Sequence, residues 1–110
     1  MIYLAQPYSD PDETVKQMRF EAAMLAAAKI FNKGKFLYSP ILHCHPVALA
    51  HNLPGDFLFW GNYNMWMIER SDEVWVLQLE GWGRSTGVKA EIEYATRKGI
   101  PVLYYTLEDI

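Results

Sequence analysis

This sequence has little with which to cross-link, span a membrane or coat a polyanion. Cys44 is its one cysteine in 110 residues, which excludes an intrachain disulfide. No apolar run reaches the roughly 18 residues that a membrane span needs, so no membrane partner is expected. The opening Met1-Ile2-Tyr3-Leu4-Ala5-Gln6-Pro7 lacks the basic start and long apolar stretch of a signal peptide, and a cytoplasmic location is expected. Basic charge is also short. Ten Lys and Arg stand against 13 Asp and Glu, a net charge of −3. Nucleic-acid binding needs a basic face, so none is expected. There are no internal repeats, linkers or low-complexity tracts.

The standard glycine signatures are missing too. No G-x-G-x-x-G follows the first apolar run, and no G-x-S-x-G is present. The P-loop pattern fails because Gly87 is followed by Val88 and no hydroxyl residue follows Lys89. His43-Cys44-His45 and His51 resemble a soft-metal cluster. Without CxxC or HExxH spacing, the expectation is a loop with satisfied imidazoles and no metal or cofactor. A metal-dependent hydrolase using His43, His45 and His51 remains a rival.

What is present is an apolar, aromatic chain. Apolar residues make up 51% and charged residues 21%, which excludes disorder. The length fits one domain, residues 1–110, with one core. Four Trp, seven Tyr and five Phe form 15% of the chain. A domain this small cannot readily bury them all, so some are expected to line a pocket or a subunit interface.

The periodicity alternates between strand and helix. Ile2–Ala5 reads as a buried strand stopped by Gln6-Pro7. Asp10 as N-cap, Pro11 and Glu13 mark a helix start. That helix is expected to put Val15, Met18, Ala22, Leu25 and Ala26 on one face, to offer Ala22, Ala23, Ala26, Ala27 and Ala28 for close approach to a sheet, and to end at Gly34. Residues 36–39 read as a second strand stopped by Pro40. Residues 40–56 read as an excursion with one short helix. Asp56 caps a helix to about Arg70, with Phe57, Trp60, Asn64, Met67 and Ile68 on its inner face. Residues 73–79 form the clearest strand, with Trp75 in the core. Ser85 or Thr86 caps a last helix that ends at Gly99, and Pro101–Tyr105 is a fourth strand. Continuous apolar strands joined by helices imply a four-stranded parallel sheet flanked by helices. This is an open Rossmann-like (flavodoxin-like) α/β sandwich. Ligands in such sheets bind beyond the strands' carboxyl ends.

Those ends fall at Gln6–Ser9, Ser39–His45, Glu80–Gly87 and Tyr105–Thr106, and they carry the candidates. Gly81 to Glu91 can cradle a phosphate with free helix-start N–H groups, or form an ordinary capped loop. Helix position alone makes Glu91 a solvated carboxylate or a partner of Arg97 or Lys98; Glu93 is the better surface residue. Gln6, Tyr8 and Ser9 can hold a polar ligand. Tyr3 faces the same edge or is buried with its hydroxyl satisfied. Arg19 faces the pocket or, more commonly, solvent. Trp82, in a loop, is placed at the pocket or an interface.

Two stretches resemble a known superfamily. Ile2-Tyr3-Leu4-Ala5-Gln6-Pro7-Tyr8-Ser9 looks like the opening strand and loop of the nucleoside 2-deoxyribosyltransferase-like superfamily. Ser85-Thr86-Gly87-Val88-Lys89-Ala90-Glu91, with Ala95 and Gly99-Ile100-Pro101-Val102, looks like its closing motif. The superfamily includes deoxyribosyltransferases and 2′-deoxynucleoside 5′-phosphate N-hydrolases. The chain also resembles a small group of bacterial and phage domains of unknown function. The resemblance implies hydrolysis or transfer at the N-glycosidic bond of a nucleoside 5′-monophosphate. It implies that Glu91 acts at C1′, that Tyr3 hydrogen-bonds its carboxylate, and that Ser85, with the N–H groups of Ser85–Gly87, holds the phosphate. Gln6, Tyr8 and Ser9 would hold sugar or phosphate. The general-acid aspartate of the superfamily aligns with Asn64, beside Tyr63, and Asn64 cannot donate a proton as an acid. Asp72 or Glu69 would then substitute, or the chain is a non-catalytic nucleotide or nucleotide-sugar binding module. The resemblance also implies a homo-oligomer that closes the pocket, with Trp60, Trp66 or Trp82 shared between chains.

Overall fold

Backbone hydrogen bonding joins the four short apolar runs into one parallel sheet. In the computed structural model, which describes residues 1–54 and 56–110, these are β1 (Ile2–Ala5), β2 (Leu37–Tyr38), β3 (Glu73–Leu77) and β4 (Val102–Tyr105). Their order is β2-β1-β3-β4. Ala5 pairs with Val76, and Leu77 with Tyr105. The helices are α1 (Glu13–Asn32), α2 (Pro40–His51), α3 (Phe57–Glu69) and α4 (Thr86–Arg97). The expected fold class is the one observed. Chain order reverses between β1 and β3, which makes their carboxyl ends the switch point where ligands enter such folds. Among the described residues, no helix is long and apolar enough to cross a membrane.

Alternation along each strand divides the core in two. Ile2, Leu4, Trp75 and Leu77 pack with Ala26 and Ile30 of α1. Tyr3, Ala5, Val74 and Val76 pack on the other face with Ile68 of α3 and Val88 and Ala95 of α4.

Several local expectations change. The N-cap of α1 is Asp12, whose side chain accepts from the Thr14 N–H at 2.8 Å; Asp10 instead accepts from the Asp12 N–H. The buried stripe of α1 is Ala23, Ala26, Ala27 and Ile30, while Met18 and Leu25 are exposed. As expected, small side chains let the helix backbone approach the sheet; Ile30 stays in the core, and Met18 and Leu25 turn outward.

The 40–56 excursion is largely a 12-residue helix, α2, and Gly55 lies outside the described residues. Pro40 ends β2 and also fills the first position of α2, where a missing N–H is harmless. Ser39 caps it by accepting from the Leu42 N–H. Pro46 sits inside the helix at the expense of one backbone hydrogen bond. Asp56 and Ser85 cap α3 and α4 as expected, and Gly34 and Gly99 take the positive φ of helix ends.

Candidate functional site

Beyond the ends of β1 and β3 lies a cavity of about 700 Å³. The loop after β1 supplies Gln6 to Asp10, α1 supplies Arg19, and α2 supplies Cys44 and His45. The start of α3 supplies Phe57, Trp60 and Asn64. Gly81, Arg84, Ser85, Thr86, Gly87 and Glu91 complete the wall.

Glu91 is the least ordinary of these. Val88, Glu91 and Ala95 form the buried stripe of α4, so the helix period carries a carboxyl group into the core. The residue is only 4% exposed. The Tyr3 hydroxyl, itself fully buried, donates to Glu91 Oε2. Burial pushes the Glu91 carboxyl up to about 7, and the Tyr3 hydrogen bond works in the opposite direction. Tyr3 is pushed well above the usual phenol range by burial and then by Glu91, so it keeps its proton. The expected solvated carboxylate is therefore corrected. Lys98 pairs with Glu69 at 3.5 Å and Arg97 lies over the Tyr94 ring, so neither engages Glu91. Glu93 is exposed, as expected.

Glu91 shares the cavity with the N-terminus of α4. Ser85 Oγ accepts from the Val88 N–H at 3.2 Å, which leaves its hydroxyl proton free to donate elsewhere. The Thr86 and Gly87 N–H groups have no hydrogen-bond partner among the described residues. A helix start of this kind attracts an anion. The Phe57 ring reaches this wall because Gly61, one turn on, leaves it room; a Cβ at Gly61 would come within 3.0 Å of the ring.

Arg19 lines the cavity and also straps its rim. Its guanidinium donates to the Tyr8 and Ser9 carbonyls at 3.3 and 3.1 Å and to the Glu80 carbonyl at 3.1 Å. The loops after β1 and β3 are thereby joined. Gly81 permits this approach: it has φ +89°, and a Cβ there would meet the guanidinium at 3.0 Å. Arg84 pairs with Glu80 at 3.0 Å, and both are exposed.

Two amide oxygens in the cavity wall lack partners. Gln6 Nε2 donates to the Arg19 carbonyl at 2.9 Å, which settles the amide's orientation. Gln6 Oε1 and Asn64 Oδ1 are buried with no hydrogen bond among the described residues. Such acceptors normally find a donor, so the cavity suits a ligand that brings hydroxyl or N–H groups.

On the α2 wall, Tyr8 hydroxyl and His45 Nδ1 are hydrogen-bonded. Burial, with help from the Lys16 charge, pushes the His45 pKa down, while Glu13 opposes it. Burial pushes Tyr8 up. Both groups are therefore neutral, and their hydrogen bond joins one Nδ1 lone pair or proton to the phenol. His43 instead stacks on Tyr63 outside the cavity, and His51 is exposed at the end of α2. Among the described residues, no three His, Cys, Asp or Glu gather as metal ligands.

Gln6, Tyr8, Ser9, Arg19, Asn64, Ser85, Thr86, Gly87 and Glu91 thus share one cavity. Tyr3 stands behind Glu91 rather than in the wall. Trp82 lies outside the lining and packs on Tyr104, with ring centres 5.7 Å apart. Trp66 is exposed beneath the Arg70 guanidinium, and Trp60 lines the cavity and donates to the Pro54 carbonyl. Asp72 pairs with the N-terminal amine and Glu69 with Tyr94, and neither lines the cavity. Sequence reasoning put residues 39–45 and 80–87 at the ligand end of the sheet, and Cys44, His45 and Arg84 do line the cavity. It missed the cavity roles of Asp10, Phe57 and Leu58, and the helix that carries residues 40–51, whose start is signalled by Ser39-Pro40.

These features define an open parallel α/β domain with a ligand-sized cavity at its switch point, apolar for the most part and set with a few polar groups. The chain belongs to the DUF1937 family, a domain of unknown function, whose family model matches residues 1–107. No curated protein matches the chain.

Proposed function

We propose that this protein hydrolyses, or transfers at, the N-glycosidic bond of a nucleoside 5′-monophosphate. The carrying observation is a buried Glu91 carboxyl, hydrogen-bonded by Tyr3, in one cavity with the open N-terminus of α4. The likeness to the nucleoside 2-deoxyribosyltransferase-like superfamily is part of this proposal.

Cleaving an N-glycosidic bond develops positive charge at C1′, and a carboxylate beneath it lowers the barrier. In this reading ionised Glu91 attacks C1′, and the C1′–N electron pair leaves with the base. Water, or an acceptor base, then displaces the glutamate. Tyr3 holds Oε2 in place. The 5′-phosphate sits at the Thr86 and Gly87 N–H groups and the Ser85 hydroxyl. Sugar hydroxyls satisfy Gln6 Oε1 and Asn64 Oδ1. A second copy of the chain closes the open side of the cavity, and the protein works in the cytoplasm, where nucleotides are held.

Incubation with the common ribo- and deoxyribonucleoside 5′-monophosphates tests this by chromatography of released base. Free base from at least one, lost in Glu91→Gln, is the expected result; no base from any overturns it. Gel filtration should give an oligomer, and a monomer contradicts the shared cavity. A second reading, a non-catalytic nucleotide or nucleotide-sugar binder, is favoured by Asn64 standing where an acid is expected. It predicts saturable binding in calorimetry without turnover.

A further inference from the structure

The reaction proposed above leaves one chemical need unmet. The departing base carries off an electron pair, and Asn64 cannot act as its acid. Resting on that reading, we infer that His45 contacts the leaving base, donating a hydrogen bond from Nε2 to an acceptor nitrogen or carbonyl oxygen of the base.

The argument begins with how the ring is held. His45 is only 6% exposed, yet it lines the cavity. The Phe20 ring packs on it with centres 4.6 Å apart, and the Tyr8 ring meets it edge-on at 5.4 Å. The Tyr8 hydroxyl occupies Nδ1. Nε2 is then the ring nitrogen left for a ligand, and the proposed contact requires the Tyr8 phenol to donate to Nδ1 so that Nε2 carries the proton. Burial favours the neutral ring, and so does Lys16 of α1, with Glu13 of α1 opposing it. A ring locked by two aromatic neighbours and tautomerically set by a phenol is preorganised to donate, with no rearrangement as charge develops.

The placement fits the division of labour. Glu91 enters from α4 and His45 from α2, so the two elements can grip the sugar and base ends of one ligand. As the C1′–N bond breaks, its electron pair passes to the base and the His45 N–H hydrogen bond stabilises the new charge. The proton that finally neutralises the base comes from the water whose hydroxide equivalent ends at C1′. Tyr8 acts through His45 and is a positioning residue.

The test uses the full chain with a nucleoside 5′-monophosphate from the panel above, and three variants. His45→Phe keeps the ring stack but has no N–H. His45→Gln restores a donor near the Nε2 position. Tyr8→Phe frees Nδ1. His45→Phe should lower kcat on the order of 10²-fold with KM little changed, and His45→Gln should recover most of it. In ¹⁵N-histidine NMR the Nε2–H signal of His45 should shift on adding the nucleotide. Tyr8→Phe should raise the fraction of the Nδ1–H tautomer, and an unchanged tautomer ratio overturns the role given to Tyr8. Wild-type kcat in His45→Phe, or an unmoved His45 signal in nucleotide-saturated protein, overturns the inference and leaves the Glu91 reading standing. If no nucleotide binds, both fall. Thermal unfolding of His45→Gln separates a lost contact from a lost fold, since a folded His45→Gln with no recovered activity also overturns the inference.

Discussion

The two faces of the sheet are packed by opposite rules. On the α1 face, Ile2, Leu4, Trp75 and Leu77 meet Ala26 and Ile30, and the layer is wholly apolar. On the α3–α4 face, Tyr3 stands beside the small Ala5, Val74 and Val76 and carries a hydroxyl to the Glu91 carboxyl. Small strand residues there leave room for a polar pair inside the core. Burying a carboxyl group is unfavourable unless it is partnered or neutralised, and Glu91 is both hydrogen-bonded and shifted. The α1 face is built for stability. The α4 face gives up some stability to hold a titratable group at the cavity, and groups perturbed in this way cluster at functional sites.

The sharpest way to break this contrast is Glu91→Gln. Base release should fall at least about a thousandfold, measured by chromatography under saturating nucleotide. Stability should move the other way. The folded state holds the Glu91 proton more tightly than the unfolded chain, with the carboxyl raised from 4.5 to about 7. Wild-type stability therefore falls as pH rises from 4.5 through 7 and levels off above. Glu91→Gln should remove that slope and be more stable at pH 8 by about 3 kcal/mol, read from denaturant unfolding at several pH values. Equal stability at pH 8 would falsify the claim that this carboxyl is strained.

Next in size is Leu4→Ala on the dry face. It should lose about 3 kcal/mol in denaturant unfolding, with the pH dependence of stability unchanged. Altered pH dependence would mean that the two faces are coupled. Tyr3→Phe sharpens the other side. It removes the hydrogen bond that favours ionised Glu91, so the rising limb of the pH–activity profile should move to higher pH. An unmoved limb would show that another group sets it. The smallest effect is expected from Ser85→Ala. Losing the cap of α4 should cost about 1 kcal/mol in thermal unfolding, together with weaker binding of inorganic phosphate in calorimetry. Unchanged binding would remove Ser85 from the anion site.

Much of the fold was legible because its signals are local. The apolar run Val74-Trp75-Val76-Leu77, the Asp56 and Ser85 caps and Gly99 act over a few residues and survive in the structure. Local signals failed where one residue serves two elements. Pro40 both stops β2 and starts α2, so the sequence pointed to residues 39–45 as a ligand end but hid the helix that carries them. On α1 they failed in part: Met18 and Leu25 lie outward, while Ala23, Ala26 and Ala27 face the sheet as their size led one to expect, because close approach needs small side chains.

By itself, the sequence determined the element types, their order and the loops where chemistry-bearing residues cluster, because hydrophobic period, caps and turn residues are short-range properties. Only the tertiary structure decided the state of those residues. Tyr3 and Glu91 lie 88 positions apart, and Tyr8 and His45 lie 37 apart. Parallel pairing of β1 with β3 brings the first pair together, and α2 folding over the β1 loop brings the second. Burial then changes their chemistry: it raises one carboxyl to about 7 and keeps one imidazole neutral. Desolvation is a property of everything packed around a group.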